Sequence, residues 1–183
     1  MKPSDYAIRT AREIRRQPLW CREVFGDDEM VQFNFERKDR PAASSGMTQD
    51  GVLPAPRQFL VDGMSWYPEP GCSLEDFRSL VFNAVLHFGI MDRYYLDVPF
   101  AIALVPSIAT ALWGTSLTIG VKAPTAKFSC PHSYDIDDVG LHLNPKILIP
   151  MLSRFWVRAS GIKHLKNTVA VTVVLHGVEE RPA

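Results

Sequence analysis

The sequence predicts a mostly β, antiparallel sandwich or barrel, and three observations support this fold class. Short segments rich in β-branched and aromatic residues recur along the chain and are divided by Pro, Gly or Asp. Few segments have helical periodicity, and regularly spaced strands with few helices favour a sandwich or barrel. The 183 residues, of which 46% are hydrophobic, are enough for one domain with a real core.

Charge and cysteine content narrow the class of protein. Twenty basic and twenty acidic residues give no net charge, so no global field draws the chain to nucleic acid or membrane. A neutral chain also permits self-association. The chain has an odd number of cysteines, Cys21, Cys72 and Cys130, and no two of them form a CxxC motif. This argues against a disulfide framework. The opening "MKPSDYAIRTAREIRR" lacks the apolar region of a secretory signal, so we expect synthesis in the cytoplasm.

The N-terminal segment has the pattern of a helix over residues 4–16. Ala7, Ala11 and Ile14 recur at helical spacing on one face. The arginines that cover much of the remaining surface are Arg9, Arg12, Arg15 and Arg16. We therefore predict an N-terminal helical arm over residues 1–24, whose arginines contact a neighbouring subunit, nucleic acid or lipid. The alternative is an ordinary solvated helix face.

Residues 25–183 are predicted to form the β domain. Strict alternation in "VQFNFER" predicts a half-buried strand, and Pro, Gly, Ser and charge then predict a long exposed loop near 38–56. "QFLVDGMSWYP" predicts the next strand. Ser73, followed by Glu75 and Asp76, predicts the start of a short helix.

The second half of the chain is predicted to contain the remaining strands, for a total of eight or nine. The segments are "VLHFGIM", "YYLDVPFAIAL", "SLTIGV", "KILIP", "RFWVRAS" and "TVAVTVVLHGV". Val98 to Val121 contains no charged residue and is long enough to span a bilayer. Pro and Gly interrupt this stretch, so two buried strands joined by an apolar loop are the favoured interpretation.

Residues 55 to 183 resemble single jelly-roll coat proteins of small tailless bacteriophages in the order and rhythm of their strands. In "NPKILIPMLSRFWVRASGIKHLKNTVAVTVVLHGVEERPA" a short strand ends at Pro150, another follows, and a loop leads to a long final strand. "NAVLHFGIMDRYYLDVPFAIALVP" is similar to a jelly-roll hairpin that turns at Asp92–Arg93. The resemblance implies an antiparallel jelly-roll β-sandwich whose last strand returns to the middle of a sheet. A central strand reads as a nearly continuous apolar run, as "VAVTVVL" does.

The same resemblance implies a capsid subunit, not an enzyme, that assembles with copies of itself and other virion proteins. It implies no cofactor and no small-molecule substrate, and a location in the virion after synthesis in the host cytoplasm. Contact of the N-terminal arm with nucleic acid or lipid is an associated expectation. A jelly roll alone does not decide function, because the fold serves many functions.

Two other classes of protein stay open. "CPHSYDIDDVGLH" brings together His132, Asp135 and His142, which suits Fe, Mn or Zn and a cupin-like metal-dependent enzyme. The ordinary interpretation is an acidic surface turn, because the two histidines are ten residues apart with no Glu between them. The second alternative is a receptor- or carbohydrate-binding spike-type jelly roll. No serine-nucleophile or phosphate-loop motif is present, and Ser160-Gly161 lacks the surrounding residues of one.

Overall fold

A computed structural model describes residues 12–16, 18–26, 30–33, 35, 52–69, 71–104 and 140–182. Within these ranges the chain forms nine strands and two short helices. In chain order they are β1 Arg12–Arg16, β2 Leu19–Phe25, β3 Met30–Phe33, β4 Gln58–Pro68, α1 Leu74–Asn83, β5 Val85–Ile90, β6 Arg93–Pro99, α2 Phe100–Ala103, β7 Leu141–Ile149, β8 Phe155–Ser160 and β9 Val169–Pro182. The predicted mostly β, antiparallel fold class is confirmed.

Two sheets enclose one apolar core. The first sheet has the order β1-β9-β4-β7, with β2 also paired to β9, and the second has the order β3-β8-β5-β6. Alternate side chains of each strand point inward, as the period of a β-strand requires. Trp66, Phe59 and Val173 of the first sheet and Phe88 and Val157 of the second are fully buried. The chain is therefore a β-sandwich with its core between the two sheets.

The final strand lies in the middle of the first sheet, as the sequence predicts. β9 pairs with β1 and β2 on one side and with β4 on the other. Its inward residues Val169, Val171, Val173 and Leu175 are buried, and most of its outward residues are half-buried. The nearly continuous apolar run of this segment thus reflects its central place in the sheet.

The predicted N-terminal helix is wrong for residues 12–16, which form strand β1. Each residue from Arg12 to Arg16 pairs with β9, and the register runs from Pro182 to Val178. This pairing supplies partners to the last part of β9, and such tertiary pairing overrides a weak local helix propensity. β2 then continues on β9, so both described segments of the predicted arm belong to the sheet. Residues 4–11, including Arg9, lie outside the described residues.

Helix α1 begins at the predicted cap. The Ser73 hydroxyl accepts a hydrogen bond from the Asp76 backbone N–H at 3.1 Å. The buried Asp76 carboxylate then accepts bonds from the Lys166 N–H at 2.7 Å and from Asn167 at 3.0 Å. Burial raises the pKa of Asp76, but the hydrogen bonds from Asn167, Ser73 and Lys166 outweigh it, so the pKa is lowered. Asp76 therefore ties α1 to the segment that enters β9.

Two other predicted segments are only partly described. Of the uncharged stretch from Val98 to Val121, β6 ends at Pro99 and α2 follows at Phe100–Ala103, whereas residues 105–121 lie outside the described residues. α2 is a helix where a strand is predicted. The loop predicted near 38–56 is described only from Val52, which forms a bridge with Arg154. Within the described ranges, no helix is long and apolar enough to cross a membrane.

Candidate contact surfaces

Three turns meet at one end of the sandwich, which we call the three-turn end (residues 52–57, 91–92 and 150–154). Backbone hydrogen bonds join the turns to one another. The Met91 N–H donates to the Arg154 carbonyl at 2.7 Å, and the Leu152 N–H donates to the Leu53 carbonyl at 2.9 Å. The bridge between Val52 and Arg154 adds a further link. The three-turn end is therefore a cross-linked backbone framework.

The side chains on this framework are unusually apolar for turns. Met91, Met151 and Leu152 are 59%, 49% and 66% exposed. Met91 and Leu152 also have φ values of 55° and 58°, in the left-handed region where Gly, Asn and Asp are the favoured residues. Large apolar side chains at these two positions are mostly exposed and carry a conformational cost in the described chain. Exposed apolar clusters are common at surfaces that contact another molecule.

The outer face of the second sheet has a different composition. Its central polar row, hereafter the polar row, consists of Gln32, Arg158, His87 and Asp97, which lie opposite one another on four adjacent strands. The row below it contains Trp156, Gly89 and Tyr94. Neighbouring strands are about 4.8 Å apart, so the polar row is about 14 Å long.

Hydrogen bonds connect the side chains of this face. His87 Nδ1 lies 2.6 Å from Asp97 Oδ1, and His87 Nε2 lies 2.6 Å from Ser160 Oγ. A neutral imidazole satisfies both bonds when Nδ1–H donates to Asp97 and the Ser160 hydroxyl donates to Nε2. Arg158 Nε donates to the Gln32 side-chain oxygen at 3.3 Å, and the guanidinium lies 4.6 Å from the Trp156 ring centroid. The orientations of these groups are therefore fixed before any ligand arrives.

Ser160, His87 and Asp97 have the hydrogen-bond order of a nucleophile, a base and an orienting carboxylate. In catalytic triads the carboxylate is buried, which strengthens its hold on the imidazolium that forms during the reaction. The Asp97 side chain is 62% exposed, so water screens this interaction. We interpret the two bonds as positioning contacts on the sheet face.

A buried charge lies near the end of β9. Glu179 is 4% exposed, and its carboxylate pairs with Arg181 and lies 3.5 Å from the Arg57 guanidinium. In the sheet register Arg15 lies directly opposite Glu179. A buried carboxylate needs such partners, because an uncompensated charge in the interior is costly. Arg57 and Arg181 provide this compensation for Glu179.

The predicted contact arginines are therefore placed on the first sheet where they are described. Arg15 and Arg16 of β1 are exposed, and Arg16 lies opposite Val178. Arg12 also lies in β1, opposite Pro182.

Of the three predicted metal ligands, only His142 is described. It is exposed on β7 and lies opposite Gly63 of β4, and His176 of β9 lies on the other side of the same glycine. His132 and Asp135 lie outside the described residues. No group of three or more metal-ligating side chains occurs within the part of the chain that the structure describes. Cys21 and Cys72 are buried.

No family model, curated protein or solved structure matches this chain. The sequence and the geometry of the described residues therefore carry the functional argument.

Sequence reasoning did not find the polar row, although a signal for part of it is present. In the "VLHFGIMDRYYLDVP" hairpin, His87 and Asp97 are nearly symmetrical about the turn, which the structure places at Met91–Asp92. Such symmetry predicts that the two side chains lie opposite each other on one face. Ser160 joins them from β8, some seventy residues further on, and only the sheet order brings it there.

Proposed function

We propose that this chain is a jelly-roll shell subunit that assembles with copies of itself through the three-turn end. The observation that carries the proposal is the cluster of exposed apolar side chains on that cross-linked framework. Virion localisation, and assembly with other virion proteins, are parts of the same proposal. No cofactor and no small-molecule reaction enter it.

The pairing of the strands supports a jelly-roll topology for the β-sandwich. Arg16 pairs with Val178 and Leu19 with Leu175, so one register continues through β1 and β2, which count as a single strand. The described ranges then contain eight strands, and the first pairs with the eighth, the second with the seventh, the third with the sixth and the fourth with the fifth. A long hairpin rolled into two sheets produces this pairing, which is the pattern of a jelly roll.

The edges of the two sheets favour assembly through turns over assembly by strand addition. Pro18 interrupts the β1–β2 edge, and Pro145 lies within β7 at the opposite edge. In the second sheet β3 has only four residues, and β6 carries Arg93 and Asp97. Prolines, short strands and charges are the devices that prevent edge-to-edge pairing. We therefore place subunit contacts at the three-turn end.

The three-turn end has the properties of a repeated weak interface. Its backbone is already fixed, so little conformational entropy is lost when it is covered. Each apolar contact is small, but a closed shell repeats the same contact many times. Leu148, 45% exposed on the outer face of β7, lies next to the 150–154 turn and extends the apolar area.

The test is the particle mass of the double variant Met91→Asn/Leu152→Asn. Asn is well tolerated at left-handed positions, so the substitutions remove apolar contact while preserving the turns. We expect the unaltered chain to form large regular particles in light scattering and electron microscopy, and the double variant to remain a small species.

Phe82→Gln is the matched control. Phe82 is 72% exposed on α1, away from the three-turn end, and Gln keeps its helix propensity. The control is expected to assemble like the unaltered chain. A monomeric unaltered chain at all concentrations, or equal assembly of the double variant, contradicts the proposal.

The predicted contact of the N-terminal segment with nucleic acid or lipid has a separate test. Removal of residues 1–11 deletes Arg9 and leaves β1 in place. If the segment binds polyanions, the shortened chain loses salt-sensitive retention on heparin or on anionic vesicles but still forms particles.

A further inference from the structure

We propose that the polar row and Tyr94 form a binding site for a neutral saccharide. The site lies on the outer face of the second sheet. It uses side chains other than those of the three-turn end, although the Met91 carbonyl of that end accepts a hydrogen bond from Trp156. The inference rests on a juxtaposition: hydrogen-bonding side chains of fixed orientation stand beside a fixed and exposed aromatic ring.

The polar groups are oriented by one another and keep unused capacity. The Asp97 carboxylate holds His87 through Oδ1, and a carboxylate accepts several hydrogen bonds. Arg158 uses Nε for Gln32, which leaves its terminal N–H groups to donate. Within the described residues, the Gln32 amide nitrogen also has no acceptor. Sugar hydroxyls both donate and accept, so they match a row that offers both.

The aromatic part of the site is held by Trp156. Its ring lies against Gly89 so closely that a Cβ there would come 2.1 Å from Trp156 Cζ2. Its indole N–H donates to the Met91 carbonyl at 2.9 Å, which fixes the ring along the sheet. Tyr94 meets it edge to face, at 4.8 Å and 78°, and so stands across the flat indole. The 61% exposed Tyr94 thus forms a wall beside the polar row.

Sugar rings suit this arrangement because they are amphipathic. The C–H face of a pyranose packs on an aromatic ring, while its equatorial hydroxyls reach groups at the side. Tyr94 and Asp97 are close neighbours on β6, so one sugar unit can contact both. The row of about 14 Å is long enough for a short oligosaccharide.

The charge of the site favours a neutral ligand. Arg158 provides a cation and Asp97 an anion, so the charges of these two side chains balance within the row. An anionic polymer would meet the exposed Asp97 carboxylate, and like charges in proximity are destabilising. We therefore assign the site to neutral saccharides and not to nucleic acid or acidic glycans.

The experiment is a printed array of neutral and sialylated oligosaccharides probed with the labelled full chain, followed by titration of the best neutral saccharide. We expect binding to neutral saccharides. Tyr94→Ala and Asp97→Asn should each weaken it about tenfold, the size of one lost aromatic or charge-assisted contact.

Tyr95→Ala is the matched control, because Tyr95 is the exposed bulge residue next to Tyr94 and has no partner in the β5–β6 register. It should bind like the unaltered chain. Binding of acidic glycans only, no binding at all, or equal binding by Tyr94→Ala overturns the proposal. A change of particle mass in Tyr94→Ala without saccharide binding also overturns it, since the face would then be a subunit contact.

Discussion

The three-turn end and the polar row are both exposed, but they are built in opposite ways. At the three-turn end the backbone is cross-linked, and the exposed side chains of Met91 and Leu152 are apolar. In the polar row the side chains themselves are cross-linked, as in the contacts of His87 with Asp97 and Ser160. An apolar surface such as the three-turn end gains binding free energy by excluding water from its contact area. A surface such as the polar row selects its ligand by the hydrogen bonds that the ligand can form. Exposure alone would not distinguish the two surfaces.

The largest effect is expected from Met91→Asn/Leu152→Asn, which should abolish assembly without affecting saccharide binding. This double variant should lose particle formation and keep the saccharide affinity of the unaltered chain, because its substitutions change only side chains outside the polar row and retain the Met91 carbonyl that accepts from Trp156. Light scattering and saccharide titration on the same sample check both. If both properties fall together, the two surfaces are parts of one interface.

The next largest effect is on the stability of the fold, through Asp76, which belongs to neither surface. Asp76→Ala leaves the Lys166 N–H and the Asn167 side chain without their acceptor, so the free energy of unfolding should fall by about 3 kcal/mol. Denaturant unfolding measures this. At denaturant concentrations below the unfolding transition, assembly and saccharide binding should persist. Selective loss of either one would mean that α1 supports only that surface.

The lowered pKa of Asp76 predicts the pH dependence of this stability. The carboxylate contributes fully above its ordinary pKa of 3.8, and the contribution is lost as the pH falls through the lower pKa of the folded state. Melting temperatures between about pH 2 and pH 7 should therefore decline more steeply below pH 4 in the unaltered chain than in Asp76→Asn. Parallel curves would show that another carboxylate controls acid unfolding.

The sequence predicts those structural elements that are determined by neighbouring residues, and not those that depend on distant strand pairing. The strand "QFLVDGMSWYP" and the Ser73 cap were predictable because alternation and capping are properties of neighbouring residues. β1 was mistaken for a helix because its pairing with β9 spans almost the whole chain, from Arg12 to Pro182. A local pattern contains no information about such a partner.

In the candidate surfaces, too, only the features that depend on neighbouring residues could be predicted. The turn at Met91–Asp92 was predicted to within one residue, and the hairpin symmetry of His87 and Asp97 was present in the sequence. The third member, Ser160, depends on the order of strands in the second sheet. The left-handed backbone conformations of Met91 and Leu152 could not be predicted, because Gly, Asn and Asp are the residues that favour this conformation in turns. Residues that violate local preference are where function is expected.

A moderate effect is expected from Gly89→Ala, which should act on the second sheet alone. The new Cβ would collide with Trp156 and with the Arg93 carbonyl, at 2.1 and 2.7 Å. Overpacking of this kind costs about 1–3 kcal/mol, and displacement of the indole should remove the support of Tyr94 and abolish saccharide binding. Titration and unfolding measure the two effects, and particle mass should not change. Retained saccharide affinity would show that Trp156 does not position Tyr94.

The smallest effect expected is from Arg158→Lys, and it tests whether Arg158 binds the ligand or only orders the row. Lys keeps the positive charge but loses the planar group that lies over Trp156 and holds Gln32. If Arg158 chiefly orients its neighbours, saccharide affinity should fall about threefold, less than for Tyr94→Ala, because Tyr94 and Asp97 keep their places. A fall as large as that of Tyr94→Ala would mean that the guanidinium itself holds the sugar through paired hydrogen bonds, since only a planar fork provides them.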